Sequence, residues 1–310
     1  MLDHQLQAIV DQARTSGAPD LADLPLHAAR AVYRQILAAA DGPVADVEVH
    51  DIHERSADTN LTLRAYLPRA AGPHPVVVYL HGGGYVLGDI DGYDSVCRRL
   101  CADGGFVVAS LAYRQPPEHA WPAPFEDALA GVRWVARHAG RIGADATRLA
   151  LAGDSAGAVL ATSVARRLRD AGGPALRGQA LLYPPAAGNH PGDYPSRERH
   201  ADGPTLTRRT MDFFSRHAFG PAGVAPDEDG APLRAADLRG LPPTLLQLAA
   251  HDPLRDEGLA YAQALQRAGN AVTLVEYHGL AHGYLSMGGA VAAARLAQRQ
   301  LADWLGMVLD

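Results

Sequence analysis

The stretch Gly153-Asp154-Ser155-Ala156-Gly157 holds a residue whose type and setting suit nucleophilic chemistry. A serine hydroxyl is a weak nucleophile until a base takes its proton, and that base needs a third group to orient it. The glycines two before and two after Ser155 let a strand turn sharply into a helix, leaving the hydroxyl exposed at the strand's end. The same junction sets Ser155 at a helix N-terminus, where free N–H groups favour a developing negative charge. In a chain with 32 glycines such a pentapeptide also arises by chance, so its meaning rests on partners elsewhere.

Serine hydrolases built on this kind of turn place the acid, then the base, later in the chain. Asp252, in Ala250-His251-Asp252-Pro253-Leu254, follows an apolar run and stands at a predicted strand end. Its alternative role is a helix N-cap, because Pro253 opens a turn and Asp256 and Glu257 fall in the next helix's first turn. His282, in His278-Gly279-Leu280-Ala281-His282-Gly283-Tyr284, follows the last strand on a glycine-flanked loop and suits a base reaching toward Ser155. His278 abuts that strand and is expected to be a surface or supporting residue, while His251 precedes Asp252 and breaks the order. Asp154 adjoins the serine; adjacency points its side chain away, so it reads as a structural residue of the turn. The fourth component is His81-Gly82-Gly83-Gly84, whose side-chain-free backbone can aim several N–H groups at one oxyanion. Gly-rich loops also cradle phosphate, but this one lacks the Walker lysine and the G-x-G-x-x-G spacing.

These residues need a scaffold that delivers several strand ends to one place. Apolar runs at 75–80 and 106–112 read as buried strands, and 149–152, 179–183, 244–250 and 272–277 read as further strands. Residues 44–52 and 61–67 alternate instead, as antiparallel edge strands do. Helical spacing covers 2–14, 26–40, 93–102, 125–138, 156–169, 257–268 and 290–305. Strands alternating with helices predict an α/β fold, with about eight strands in a mostly parallel sheet and helices on both faces. Between 186 and 232 the pattern fails: Pro, Gly and Asp abound, only 206–217 looks helical, and 221–232 reads as a solvated connection. An insertion there, near the carboxyl ends of strands, would cover a site together with the N-terminal helices. The expected division is 1–43 as N-terminal helices contributing to a cap, 44–185 as the first part of the core, 186–232 as the cap insertion and 233–310 as the second part of the core.

All 28 basic residues are arginine, which excludes Schiff-base, pyridoxal-phosphate and P-loop lysine chemistry. A net charge of -6 gives no basic footprint for nucleic acid. No run approaches the roughly 18 to 20 apolar residues of a membrane span, and residues 1–11 carry no charged-then-apolar signal pattern. Cys97 and Cys101 lie four apart on a predicted helix and are read as two buried free thiols, with a redox disulfide as the alternative; a zinc site needs more ligands. The expectation is a cytoplasmic enzyme, monomer or homodimer, acting on a small molecule without cofactor or metal.

Five blocks in order give the chain a resemblance, over nearly its full length, to the bacterial hormone-sensitive-lipase-like carboxylesterases. They are His81-Gly-Gly-Gly-Tyr85, Tyr113-Arg114 with Pro117-Glu118-His119, Gly153-Asp-Ser-Ala-Gly157, Asp252-Pro-Leu-Arg-Asp-Glu-Gly258 and His282-Gly283. The resemblance implies an α/β-hydrolase fold with a helical cap, the triad Ser155, Asp252 and His282, and oxyanion donors from the backbone of Gly83, Gly84 and Ala156. It implies hydrolysis of short- to medium-chain carboxylic esters through an acyl-enzyme. A non-catalytic ligand-binding module on the same fold, or an amidase using the same triad, are the alternatives. The chain departs from the family pattern at Tyr113-Arg-Gln-Pro-Pro-Glu-His119, where Leu-Ala is usual for Gln-Pro, and at Ala158, where a further glycine is usual. Both bear on loop shape and helix packing near the serine.

Overall fold

Continuous apolar runs have no face to give to water, and the fold covers both faces of the strands they form. The computed structural model describes residues 1–17, 19–40, 42–55 and 60–310; residues 18, 41 and 56–59 of the expected units lie outside the described residues. In chain order the elements are α1 (His4–Thr15), α2 (Leu26–Ala39), β1 (Glu48–Arg55), β2 (Asn60–Leu67), β3 (His74–Leu80), α3 (Asp94–Gly104) and β4 (Val107–Leu111). They continue with α4 (Ala123–His138), β5 (Ala144–Asp154), α5 (Ala156–Asp170), β6 (Gly178–Leu182), α6 (Pro195–Arg199) and α7 (Arg208–Phe219). The last four are β7 (Thr244–His251), α8 (Arg255–Arg267), β8 (Val272–Ala281) and α9 (Ala292–Leu309).

The strands form one sheet in the order β1-β2-β4-β3-β5-β6-β7-β8. β1 with β2 and β2 with β4 are antiparallel, and every other pair is parallel. Of the two strands expected at an edge, only β1 is one; β2 lies between β1 and β4, and β8 forms the other edge. Alternate residues serve opposite layers. Val76, Val78, Leu80, Leu149 and Leu151 pack with α4, α5 and α8, whereas Val77, Tyr79, Ala150 and Ala152 pack with α1, α3 and α9.

A third layer joins residues far apart in sequence. Ala29 of α2 and Phe213 of α7 pack on Val86 and Leu87, in the loop that follows β3. Asp20 accepts hydrogen bonds from the hydroxyls of Thr207 (3.0 Å) and Thr210 (2.9 Å), and Arg209 pairs with Asp23. Arg30 of α2 donates to the Val86 carbonyl at 2.9 Å and pairs with Glu118 at 2.6 Å, which fixes α2 to the Pro117-Glu118-His119 block. The short helix α6 is too brief to leave a periodic signal; Pro195 opens it, and the Ser196 hydroxyl donates to the Pro253 carbonyl at 2.8 Å.

The segment 221–232 is not the solvated connection its polarity predicts. Asp229 is 4% exposed, held by Arg166 and Arg167 of α5, and the Ser163 hydroxyl donates to its carbonyl at 2.8 Å. Asp229 and Glu228 face arginines of α5, and the exposed Asp227 accepts the Trp121 indole N–H at 2.9 Å, pairings that local composition cannot reveal. Removing one partner of a buried pair leaves the other charge uncompensated, at a typical cost of about 3–5 kcal/mol. Asp229→Ala should therefore lower stability by about that much in urea unfolding, while Arg69→Ala, at the exposed Arg69–Asp46 pair, should leave the midpoint essentially unchanged. Equal effects of the two substitutions would contradict this account of the segment.

Candidate active site

Parallel strands present their carboxyl ends on one side of a sheet, and sites form there. β3 ends at Leu80, β5 at Asp154, β7 at His251 and β8 at Ala281, so the next residues are His81, Ser155, Asp252 and His282. Every sequence-predicted component is thus the first residue past a strand, or follows closely on one. The register of β3 on β5 sets Leu80 opposite Gly153, which brings the glycine loop beside the serine turn.

Ser155 adopts φ 52° and ψ -121°, a backbone conformation that side-chain-bearing residues rarely take and that costs roughly 1–3 kcal/mol. Its N–H donates to the Leu182 carbonyl at 2.8 Å, and its carbonyl accepts the Ala158 N–H at 3.0 Å, so both neighbouring elements hold it. The flanking glycines are needed for space. A Cβ on Gly157 would lie 2.0 Å from the Leu80 carbonyl oxygen, and one on Gly153 would lie 2.5 Å from the Gly157 backbone.

His282 Nδ1 lies 2.7 Å from Asp252 Oδ2, and its Nε2 lies 3.0 Å from Ser155 Oγ. With the Nδ1 proton directed at the carboxylate, Nε2 is left as the acceptor for the serine hydroxyl. Asp252 is fully buried, and its second oxygen accepts the Leu254 N–H at 2.8 Å. The cap-like role and the role of orienting His282 therefore coexist, one on each oxygen. Tyr183, at φ 39°, sets its ring edge-on to the His282 ring at 4.7 Å between centroids. His278 is exposed, and His251 faces His200 with ring centroids 5.8 Å apart.

In the glycine loop, Gly83 has φ 104° and Gly84 has φ 62°. The Leu87 carbonyl oxygen would lie 2.2 Å from a Cβ on Gly83, and the ring of Phe214 would lie 2.3 Å from one on Gly84. The Gly82 N–H donates to Asp154 Oδ1 at 2.9 Å, whereas no hydrogen bond engages the N–H groups of Gly83, Gly84 or Ala156 among the described residues. His81 is buried and neutral; burial pulls its pKa down to about 4, and its ring stacks on Tyr113 with centroids 4.4 Å apart. Gln115, at the departure from the family pattern, donates to the carbonyls of Leu87 (3.2 Å) and Gly88 (2.9 Å) and so braces the same loop.

Beside Ser155 and His282 lies a cavity of ≈ 60 Å³. Met211, Phe214 and Phe219 of α7 and Leu254 form its apolar wall, and Arg197 and Glu257 meet it as an ion pair at 3.0 Å. Glu257 is fully buried and also accepts the Ala187 N–H at 2.7 Å. Burial raises its pKa, against the pull of Arg197. Sequence reasoning placed Glu257 only in a helix's first turn and did not single out Arg197 or the tyrosines around Asp154, because their partners lie about 60 or more residues away.

Asp154 is 2% exposed, and burial raises its carboxyl from 3.8 to about 6, against the hydrogen bonds from Tyr79, Gly82 and Tyr93. A carboxyl with a raised folded pKa favours folding fully below the unfolded value, and that contribution is lost as pH rises through the folded pKa. Asn at this position cannot titrate. The melting temperature of Asp154→Asn relative to the parent should therefore increase from about pH 4 to about pH 7; a constant difference across that window would contradict the titration of Asp154.

A family model described as alpha/beta hydrolase fold matches residues 77–286. Esterase LipI of Mycobacterium tuberculosis is 38% identical over 293 residues, covering 93% of this chain and 87% of that protein. Ethyl acetate hydrolase of Pseudomonas putida is 33% identical over 300 residues, covering 92% of each. The crystal structure of a thermostable esterase from Pseudomonas putida ECU1011 superposes with a TM-score of 0.95 at 35% identity, covering 100% of this chain and 98% of that one. With the glycine loop, the serine turn and the histidine loop all inside the matched residues, the chain belongs to the α/β-hydrolase-fold family, in its hormone-sensitive-lipase-like branch.

Proposed function

We propose that Ser155, Asp252 and His282 are the catalytic triad of a carboxylic ester hydrolase, with the N–H groups of Gly83, Gly84 and Ala156 as its oxyanion hole. The observation that carries this assignment is the unbroken line from Asp252 through His282 to Ser155, with contacts of 2.7 and 3.0 Å. That line counts against a non-catalytic binding module, and the ester activities in the names of the relatives count against an amidase.

In this mechanism Ser155 Oγ attacks the ester carbonyl carbon while His282 Nε2 takes its proton. The carbonyl oxygen becomes the oxyanion and is held by the three backbone N–H groups. The tetrahedral intermediate then collapses, the alcohol departs with the proton from His282, and the acyl group remains on Ser155. Water repeats the sequence: His282 takes its proton, the acid leaves, and the proton returns to Ser155. Asp252 stays ionised throughout, orienting the imidazole and stabilising its positive charge.

Residues 1–43, through α2, and residues 186–232, through α7, contribute the cap over this chemistry. Support comes from the packing of Ala29 and Phe213 on Val86 and Leu87, and from the ties of Asp20 to Thr207 and Thr210. The small cavity of ≈ 60 Å³, walled by Met211, Phe214 and Phe219, supports short- to medium-chain acyl groups. The reading is a cytoplasmic enzyme, monomer or homodimer; the buried free thiols of Cys97 and Cys101 support a reducing compartment. Among the described residues no helix is long and apolar enough to cross a membrane.

Ser155→Ala should lower kcat on p-nitrophenyl butyrate by at least about 10⁴-fold, and Asp252→Asn by about 10⁴-fold through loss of the correct tautomer. Retained turnover in Ser155→Ala would overturn the assignment. Across a series of p-nitrophenyl esters, kcat/KM should be highest for short acyl chains in solution. Activity that appears only on long-chain emulsions would contradict the fit of substrate to cavity.

A further inference from the structure

Asp154 shares a peptide bond with Ser155, yet its carboxylate is committed to the glycine loop rather than to the triad. Oδ1 accepts the Gly82 N–H at 2.9 Å and the Tyr79 hydroxyl at 2.7 Å; Oδ2 accepts the Tyr93 hydroxyl at 3.2 Å. Tyr93 is in turn 3.0 Å from the hydroxyl of Tyr33 on α2. No arginine or histidine pairs with Asp154 among the described residues, although it is only 2% exposed. A carboxylate so deeply buried without a cation is costly and needs a compensating role.

The geometry around Gly82 supplies that role. A Cβ on Gly82 would meet Asp154 Oδ2 at 2.4 Å, so the carboxylate fills the space against the loop backbone. Its bond to the Gly82 N–H engages the donor just before the two glycine donors of the proposed oxyanion hole, leaving Gly83 and Gly84 free to point elsewhere. A loop of consecutive glycines has no side chains to hold its own shape. We propose that Asp154 is a positioning residue for the oxyanion hole, fixing Gly83 and Gly84 relative to the nucleophile by holding Gly82 from the residue next to Ser155. The inference rests on the assignment of Ser155 as nucleophile.

Displacement of reacting groups by about 1 Å can cost about 10²-fold in rate. Asp154→Ala should therefore lower kcat by about 10²-fold with KM within about threefold, since the loop acts on the transition state. Asp154→Asn keeps a carbonyl oxygen for the Gly82 N–H and should lose less than about tenfold. The decisive probe is an aryl trifluoromethyl ketone. Ser155 Oγ adds to its carbonyl carbon, the serine proton passes to His282, and the hemiketal oxygen becomes a stable oxyanion. Its affinity should fall in Asp154→Ala by the same factor as kcat/KM and recover in Asp154→Asn, with circular dichroism confirming the fold of each variant. Unchanged ketone affinity in folded Asp154→Ala, or a loss confined to KM, would overturn the role of Asp154 alone. A wild-type enzyme that forms no ketone adduct would remove the Ser155 assignment and this inference with it. One measurement needs no variant: in the wild-type protein the Gly82 amide should exchange slowly with deuterium, and the ketone should shift the Gly83 and Gly84 amide resonances. Rapid exchange at Gly82 would overturn the proposal.

Discussion

The carbonyl oxygens of Leu80 and His81 occupy the space where side chains at the serine turn would otherwise sit. A Cβ on Gly157 would lie 2.0 Å from the first and 2.5 Å from the second, and one on Gly153 would lie 2.8 Å from Leu80. This close approach of two backbones is the constraint on which the rest of the site depends. β3 and β5 are parallel neighbours, so their carboxyl ends leave the sheet together. Any side chain between them would part the glycine loop from Ser155. The same approach accounts for the tolerance of a strained Ser155: the Leu182 carbonyl, the start of α5 and the β3 loop all fix the turn from outside.

From that contact the architecture extends outward through polar groups that are buried but matched. Asp154 engages the loop, and Asp252 divides its two oxygens between His282 and the Leu254 N–H. Farther out, Arg166 with Asp229 and Arg197 with Glu257 fasten the inserted residues to α5 and α8. Buried pairs of this kind add little net stability compared with apolar packing of the same volume, although losing one partner is expensive. Their contribution here is placement: Arg197 and Glu257 meet the cavity beside Ser155, and the arginines of α5 pull the 221–232 segment down onto the core. Aromatic contacts complete the enclosure, with Tyr183 against His282 and Phe214 resting on Gly84.

The sheet and the proposed triad are legible in the chain because each leaves a local mark. Runs such as 75–80 are apolar throughout because Val76, Val78 and Leu80 serve one helical layer while Val77 and Tyr79 serve the other. Ser155, Asp252 and His282 could be chosen because each follows a strand and the order nucleophile, acid, base is fixed by the fold. What escaped was long-range. From local composition Asp229 reads as part of a polar linker, yet Arg166 and Arg167 face it, and α6 is too short to show a period. The partners of Asp154, Tyr79 and Gly82, lie more than seventy residues earlier, in a strand and a loop that only the parallel pairing brings alongside. Among the alternating strands, the partner of each cannot be read from its own residues, which is why β2 was placed at an edge it does not occupy.

The central claim is that this turn holds one serine activated by His282. An organophosphorus fluoridate tests it directly, because the activated hydroxyl displaces fluoride and keeps the phosphoryl group as a stable ester. Intact-mass measurement should show a single adduct per chain, peptide mapping should place it on Ser155, and His282→Ala should label far more slowly. An adduct on another residue, or labelling of His282→Ala at the parent rate, would contradict the account.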